Sequence, residues 1–313
     1  MMCIDWRAYL ALIAFGPLFA AESTDWISNL GGKIERNAGG KIIAVDLRGS
    51  WMGDAEMLSL AELPDLEKLD LSHTRITDEG MLLLKSAPKI RDLSLFYAEW
   101  ITDQGMAAIR DWKHLKRLNL RGTRISNLTL EILSRISRLE ALDIANTLVT
   151  DNGVDHLIPL VSLKELSLGR GRLTNSSLEV LRMLPTLTHL DLSGARPGPP
   201  DAPGRATPGP GIPEASLRAM AELKELRVLK LGYSSITAQQ LRILSSLEKV
   251  ERLGLEMCPR VNDDAVDELA NWKGLKYLDL QHTDVTPARV EALRKAKPDL
   301  RILYAPKKAL PPA

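Results

Sequence analysis

The sequence predicts a curved α/β solenoid, with a parallel β-sheet on its concave side and helices on its convex side. Two observations support this prediction. The phrase LDLSHTRITDEGMLLL, which runs from Leu69 to Leu84, returns as LDIANTLVTDNGVDHL from Leu142 to Leu157. In addition, an LxxLxL pattern recurs at steps of 24 or 25 residues, apart from one step of 39. A near-constant period of this length is typical of proteins that stack one supersecondary unit many times.

Eleven copies of the pattern mark the period. Their first apolar residues are Ile42, Leu66, Ile90, Leu115, Leu139, Leu163, Leu187, Leu226, Val250, Leu275 and Leu300. Within one copy, Leu69 and Leu71 alternate with polar neighbours, which predicts a strand with one buried face. After a turn, apolar residues three apart, such as Met81 and Leu84, predict a helix. We expect the Asp or Asn after the turn to cap this helix, at Asp78, Asp103, Asn127, Asp151 and Asn175.

A strand–turn–helix unit of this size cannot bury its own apolar face, whereas stacked copies share one continuous core. A helix is about 10 Å wide and paired strands lie about 4.8 Å apart. The stack must therefore curve, and its strands must lie on the inside. Trp112 and Trp272 fall three residues before a copy begins, in an otherwise apolar column, and we expect both to pack in the core.

The repeat resembles that of leucine-rich repeat proteins, and it is most similar to the bacterial form of the ribonuclease-inhibitor-like and cysteine-containing branch. LEMCPRVNDDAV, from Leu255 to Val266, places Cys258 where that branch has a cysteine. Threonine is the commonest residue at this position in the other copies. The resemblance covers the chain from about Ile42 to Tyr304, and it implies ten to eleven repeats that bind other proteins.

The ends of the chain predict separate segments. The apolar run from Ala8 to Ala21 is too short to span a membrane comfortably and has the length of a secretory signal. We expect residues 1–21 to be a signal peptide, and an uncleaved membrane anchor is the alternative. Residues 22–41 are predicted to form an N-terminal cap, with a short helix and two strands around the turn at Asn37.

The repeats are predicted to occupy residues 42–305, and residues 306–313 to form a flexible tail. One stretch interrupts the period. ARPGPPDAPGRATPGPG consists mostly of Pro, Gly and Ala, so we interpret residues 196–210 as a loop insertion within the solenoid.

Composition and motifs argue against chemistry of the chain's own. The 41 basic and 40 acidic residues nearly balance, which does not favour nucleic acid or an anionic membrane as a partner. Two cysteines exclude a disulfide framework. The five histidines lack the spacing of metal ligands or of a general base, and no nucleophile elbow occurs. We therefore predict no enzyme activity, no cofactor and no metal. Cys258 is interpreted as a buried apolar residue.

One patch is a candidate for binding a protein, because aromatic residues stand beside arginines on the predicted concave side. It comprises His73, Phe96, Tyr97, Trp100, Arg117 and Arg121. The alternative for Trp100 is that it packs beneath the one-residue insertion of the third copy. A second, separate candidate is Tyr233, Tyr277 and Tyr304. A column of aspartates on the strands, which includes Asp70 and Asp143, is interpreted as a solvated face that tunes the charge offered to a partner.

The sequence therefore predicts a monomeric, non-catalytic interaction or scaffolding module that is exported and binds a protein on its concave face. It would reach a membrane only through the N-terminal apolar segment, if that segment stays uncleaved. The alternative is a cytoplasmic, F-box-like substrate receptor of a ubiquitin ligase. An F-box would require about forty helical residues before the repeats, and only about twenty follow the apolar run.

Overall fold

A computed structural model describes residues 25–87, 89–170, 175–194 and 212–307. Within these residues, twelve strands form one sheet whose order follows the chain. The predicted signal peptide, the Pro/Gly-rich insertion and most of the predicted tail lie outside the described residues.

Eleven of the described strands are parallel, and the first is antiparallel to the second. In chain order they are β1 (Lys33–Arg36), β2 (Ile42–Asp46), β3 (Lys68–Asp70), β4 (Asp92–Ser94), β5 (Arg117–Asn119), β6 (Ala141–Asp143), β7 (Glu165–Ser167), β8 (His189–Asp191), β9 (Val228–Lys230), β10 (Arg252–Gly254), β11 (Tyr277–Asp279) and β12 (Arg301–Leu303). We call each parallel strand, together with the turn and helix after it, a layer, and number the layers one to eleven from β2.

Each layer except the last continues into a short helix. The described helices are α1 (Asp25–Asn29), which precedes the sheet, and α2 (Met57–Ala61), α3 (Asp78–Leu83), α4 (Asp103–Met106), α5 (Asn127–Leu133), α6 (Asp151–Val154), α7 (Asn175–Val180), α8 (Glu214–Met220), α9 (Ala238–Leu244), α10 (Asp263–Ala270) and α11 (Pro287–Ala296). Single 3₁₀ turns extend four of them, at Leu84–Ser86, Ala107–Ile109, Asp155–Leu157 and Leu181–Met183.

The predicted solenoid is confirmed by the register of the strands. Leu69 pairs with Leu93, and Leu93 pairs with Leu118, so that equivalent residues of successive layers lie side by side. All three are at most 2 % exposed and belong to one continuous apolar core. Trp112 and Trp272 are each 1 % exposed, which confirms that both pack in this core.

The eleventh layer departs from the predicted pattern. The spacing of LxxLxL places Leu303 in the column of Leu278, but Leu278 pairs with Ile302. The backbone N–H of Leu300 bonds to the carbonyl of Lys297, as in earlier layers, so the strand begins one residue sooner after this turn. The last copy is therefore shortened by one residue between its first leucine and its strand.

The prediction that Asp78, Asp103 and Asn127 cap their helices is wrong. The residue before each one is the cap: the hydroxyls of Thr77, Thr102 and Ser126 accept hydrogen bonds from backbone N–H groups of the first turn. The side chains of Asp78, Asp103 and Asn127 instead bond to the next layer. The Asp78 carboxylate accepts the Thr102 N–H at 2.8 Å, and it also accepts the Thr102 hydroxyl.

This bridge between layers explains why glycine follows in the TDxG phrase. A Cβ atom on Gly105 would lie 2.5 Å from Asp78 Oδ1 and 3.0 Å from the Asp78 Cα. Gly80 has the same relation to Asp54, whose carboxylate accepts the Thr77 hydroxyl at 2.6 Å. The glycine therefore leaves the space that the carboxylate of the previous layer occupies.

We expect Gly105→Ala to lower the free energy of unfolding by about 1–3 kcal/mol, because the added methyl group overpacks the site of the Asp78 carboxylate. The better helix propensity of alanine, about 1 kcal/mol, offsets only part of this loss. Urea denaturation followed by circular dichroism measures the change. Gly53→Ala is the matched control, since nothing lies within 4 Å of its Cβ position. Equal stability of the two variants would contradict the bridge.

The carboxylate of Asp103 is the most densely bonded of these bridges. It accepts the N–H and hydroxyl groups of both Ser126 and Thr129, at distances that include 2.8 Å for the Ser126 N–H and 3.1 Å for the Thr129 N–H. Burial alone would raise the pKa of Asp103, but these hydrogen bonds outweigh it, and the pKa lies below its ordinary value. Ionised Asp103 therefore stabilises the fold.

We expect Asp103→Asn to cost about 1 kcal/mol at neutral pH, because an amide oxygen accepts these bonds without charge assistance. A carboxyl group whose pKa falls on folding stabilises the protein above its unfolded pKa of about 3.9. That contribution is lost as the pH falls through the lower, folded value. Urea titrations between about pH 7 and pH 3 should therefore show the two proteins converging below about pH 4. A constant difference over this range would contradict the assignment.

Candidate functional site

The aspartate column on the concave face has a structural role that the sequence analysis missed. Asp70 Oδ1 accepts the backbone N–H of Ser72 at 2.9 Å, and Asp143 Oδ1 accepts that of Ala145 at the same distance. Asp46, Asp191 and Asp279 make the same contact in their own layers. These side chains form Asx turns that end the strands, so their recurrence does not by itself define a surface for a partner.

Arg117 of the predicted patch lies on the concave face, and Glu165 holds it across the intervening layer. Its guanidinium donates to both Glu165 carboxylate oxygens, at 3.1 and 2.9 Å, above the buried Ala141. These hydrogen bonds lower the pKa of Glu165 and raise that of Arg117. A partner that binds Arg117 would have to break its bidentate ion pair with Glu165, or would contact an ion pair without net charge.

Arg121 approaches a half-buried carboxylate. Its Nη1 lies 3.8 Å from Asp143 Oδ2, too far for a hydrogen bond. Burial raises the pKa of Asp143, although the Ala145 N–H and the Arg121 charge act in the opposite direction. Arg121 therefore keeps donors that are available to a ligand on the concave face.

His73, Phe96 and Tyr97 lie in contact with one another, and we call them the aromatic cluster. The His73 and Tyr97 rings are stacked, with centroids 5.6 Å apart and planes at 8°. Phe96 meets both rings edge-on, at 5.0 Å from His73 and 4.8 Å from Tyr97. The strand β4 ends at Ser94, so Phe96 follows the strand rather than lying on it.

The backbone explains how His73 and Tyr97 come to be stacked. Both have positive φ angles, 56° and 53°, and both donate their N–H to a carbonyl of the next layer. The same position is left-handed in each of the first ten layers, at Gly49, His73, Tyr97, Gly122, Asn146, Arg170, Gly194, Tyr233, Met257 and His282. A Cβ on Gly122 would lie 2.8 Å from the Tyr97 ring, so glycine in the fourth layer makes room for this ring.

Trp100 does not belong to the aromatic cluster, and it does not pack beneath the insertion, because 57 % of it is exposed. The residue after Trp100 is the buried Ile101, whose carbonyl accepts the Arg124 N–H. In the same way, the carbonyl of Met52, which follows Trp51, accepts the Arg75 N–H. Trp100 is therefore equivalent to Arg75 of the second layer and Arg124 of the fourth.

The same column contains Trp51 in the first layer. Tryptophan and arginine thus alternate over four successive layers, along the edge of the solenoid where the strands end. We call Trp51, Arg75, Trp100 and Arg124 the rim ladder. The Arg75 guanidinium carbon lies 4.3 Å from the centroid of the Trp51 ring, and that of Arg124 lies 5.3 Å from the Trp100 ring.

The sequence pattern of the candidate patch includes Trp100 but not the other three residues of the rim ladder. A usable signal was present, since each of the four directly precedes the buried residue of its turn, in WM, RI, WI and RI. The insertion in the third layer hides this equivalence when residues are counted from the strand.

The three tyrosines of the second aromatic candidate, Tyr233, Tyr277 and Tyr304, each make a different contact. Arg170 lies over the ring of Tyr233 at 5.4 Å, and Arg252 over the ring of Tyr277 at 5.2 Å. The Tyr304 hydroxyl donates to the Val285 carbonyl at 2.8 Å. Among the described residues, no ring contact joins the three tyrosines.

Cys258 is fully buried, and burial raises the pKa of its thiol to about 11, which opposes a role as a nucleophile. No group of three His, Cys, Asp or Glu side chains in the described part of the chain is placed to hold a metal ion. The helices described also include none with the length and apolar character needed to cross a bilayer.

The fold and its exposed surfaces define a solenoid repeat protein with an open concave sheet. Its fold is the leucine-rich repeat solenoid. A family model for the leucine-rich repeat matches residues 62–85. No relative is found among curated protein sequences.

Solved structures with the same fold include two internalins of Listeria monocytogenes. The chain is 15 % identical to one internalin (inlF), with a TM-score of 0.56, covering 81 % of this chain and 71 % of that one. It is 21 % identical to internalin C2, with a TM-score of 0.52 and coverage of 68 % and 80 %.

A plant receptor has the same fold. The Arabidopsis receptor kinase HAESA, solved in complex with the peptide hormone IDA and the co-receptor SERK1, is 18 % identical, with a TM-score of 0.52. The match covers 80 % of this chain and 40 % of the HAESA chain. At these identities the likeness shows the fold alone.

Proposed function

We propose that this protein is a non-catalytic interaction module that binds another protein on the concave side of its first layers. The aromatic cluster, with Arg121 beside it, is the proposed centre of this contact. The observation that carries the proposal is the cluster itself. Three rings meet where the strands end; His73 is exposed, and Phe96 and Tyr97 are partly exposed, so a partner can still cover them. Buried aromatic residues and arginines contribute most of the binding energy in protein interfaces.

The size of the inner surface supports the same function. Eleven parallel strands at about 4.8 Å span roughly 50 Å, which accommodates a standard protein interface of about 800 Å² per partner. The HAESA structure shows one leucine-rich repeat fold in complex with a peptide and a protein. The F-box alternative has no support.

The test substitutes the cluster with residues that the chain itself uses at equivalent positions. Phe96→Ser copies Ser72 of the second layer, and Tyr97→Asn copies Asn146, which has the same left-handed backbone. The double variant should keep its unfolding transition. It should capture its main partner from a lysate of the source cell about tenfold less well, because a central aromatic contact contributes more than 1 kcal/mol.

Partner capture is quantified by mass spectrometry, with immobilised full-length protein. The matched control is Arg110→Gln with Arg135→Gln, two exposed arginines that follow the helices of layers three and four. Capture that is unchanged by the cluster substitutions, or reduced equally by the control, would contradict the proposed binding surface.

The proposal includes export, and residues 1–21 would be the cleaved signal. N-terminal sequencing of the mature protein from its own cell should then start at Ala21 or Glu22. A protein that retains Met1 in the cytosol would contradict export and leave the binding proposal standing.

A further inference from the structure

The rim ladder displays apolar area and positive charge together, outside the aromatic cluster. Trp51 is 77 % exposed and Trp100 is 57 % exposed. Among the described residues, no other aromatic apolar side chain is as exposed. Each indole has a guanidinium over its face, from Arg75 or Arg124. Such pairing is favourable by itself, but it leaves the outer part of each indole in water. This surface is therefore suited to a ligand.

The two arginines of the rim ladder have tryptophan rings beside them instead of an acidic partner. On the opposite edge of the sheet, charges of alternating sign pair between layers. Lys116 and Lys164, for instance, both contact Glu140, at 2.7 and 3.1 Å. By contrast, the guanidinium groups of Arg75 and Arg124 form no ion pair or side-chain hydrogen bond with another described residue.

A guanidinium that lies on an indole keeps its N–H donors directed away from the ring. Those donors fit the two oxygens of a carboxylate, and stacking limits the entropy that the side chain loses on binding. The ligand chemistry that complements Arg75 and Arg124 is therefore a pair of carboxylates.

The spacing of the ladder selects the conformation of the ligand. Arg75 and Arg124 are two layers apart, which is about 9.6 Å at the spacing of paired strands. A polyproline II helix repeats every three residues and rises about 9.3 Å over them, so residues i and i+3 lie on one face. In a fully extended strand, residues i and i+3 point to opposite faces. Acidic side chains three residues apart on a polyproline II helix therefore match the spacing of the two arginines, whereas those on a fully extended strand do not.

The tryptophans suit the same ligand. Proline-containing segments in the polyproline II conformation dock on aromatic surfaces, and they lose little conformational entropy because the helix is already formed. Trp51 and Trp100 alternate with the arginines at the same spacing, so prolines between the acidic residues would meet an indole.

We propose that the rim ladder binds an acidic, proline-containing segment of a partner protein in the polyproline II conformation, with carboxylates three residues apart. This inference rests on the proposed function, since it gives the chemistry of one partner segment, but it uses residues outside the aromatic cluster. An anionic membrane is disfavoured, because such surfaces are recognised by clusters of about four to eight basic residues and the ladder has two.

The probe is the fluorescein-labelled peptide Gly-Glu-Pro-Pro-Glu-Pro-Pro-Glu-Gly, titrated with the full-length protein and followed by fluorescence anisotropy. Gly-Pro-Pro-Glu-Glu-Glu-Pro-Pro-Gly has the same composition with its carboxylates adjacent, and a third peptide replaces every Glu by Gln. The spaced peptide should bind at least about fivefold more tightly than either comparison peptide, and more weakly at high salt.

Variants then assign the binding to the ladder. Arg75→Gln with Arg124→Gln, and separately Trp51→Ala with Trp100→Ala, should each weaken binding of the spaced peptide about tenfold. Arg110→Gln with Arg135→Gln makes the same change in net charge elsewhere and should leave it unchanged. Thermal unfolding followed by circular dichroism checks that each variant folds.

Three outcomes would overturn the proposal. These are no binding of the spaced peptide at millimolar concentration, equal binding of the peptide with adjacent carboxylates, and an equal loss in the control variant. Cosedimentation with phosphatidylserine vesicles that depends on Arg75 and Arg124, without peptide binding, would assign the ladder to a membrane instead. The Phe96→Ser, Tyr97→Asn variant should bind the peptide normally. Failure of the ladder and failure of the aromatic cluster are therefore separable.

Discussion

Each layer of this solenoid leaves polar groups that only the following layer satisfies. At the strand, the N–H of Leu71 donates to the carbonyl of Ser94 at 2.9 Å. At the start of the helix, Asp78 accepts the N–H and hydroxyl of Thr102. The two contacts lie on opposite sides of a shared apolar core, so they fix both the spacing and the rotation of each layer against its neighbour. A buried polar group without its partner costs more than a formed hydrogen bond contributes, and the layers are therefore stable only as a stack.

This constraint determines which positions are free to carry a function. In the turns, backbone N–H groups such as those of His73 and Tyr97 already bond to the next layer, and side chains such as Thr74 and Ile76 are buried. In most of the described layers two columns are at least partly exposed, namely the left-handed residue and the residue before the buried isoleucine, although Ser235 of the eighth layer is buried. Their side chains can vary without loss of the fold, and they repeat at the spacing of the strands. The aromatic cluster begins in the first of these columns, and the second forms the rim ladder.

The sequence is sufficient to predict the burial pattern and insufficient to predict contacts between layers. The period of the leucines specifies the strands, and the apolar column that contains Trp112 predicts that this residue is buried. Asp78 looks like a helix cap, because its role depends on Thr102, 24 residues away. Trp100 is shifted by one residue relative to its column, so counting along the chain separates it from Trp51. The first error arises because periodicity describes a single layer whereas the polar contacts join two, and the second arises from the one-residue insertion in the third layer.

The near-zero net charge conceals a division between the two edges of the sheet. On one edge, Glu140 holds Lys116 and Lys164, and Glu251 likewise lies 3.2 Å from both Arg227 and Lys276. Such pairs on the surface contribute little stability, but each one neutralises the charge that it presents. On the edge of the rim ladder, the arginines are held by tryptophan rings, which position a guanidinium without neutralising it. A balanced composition therefore coexists with two arginines, Arg75 and Arg124, whose charge no carboxylate of the described residues neutralises, and only the arrangement of partners in space reveals them.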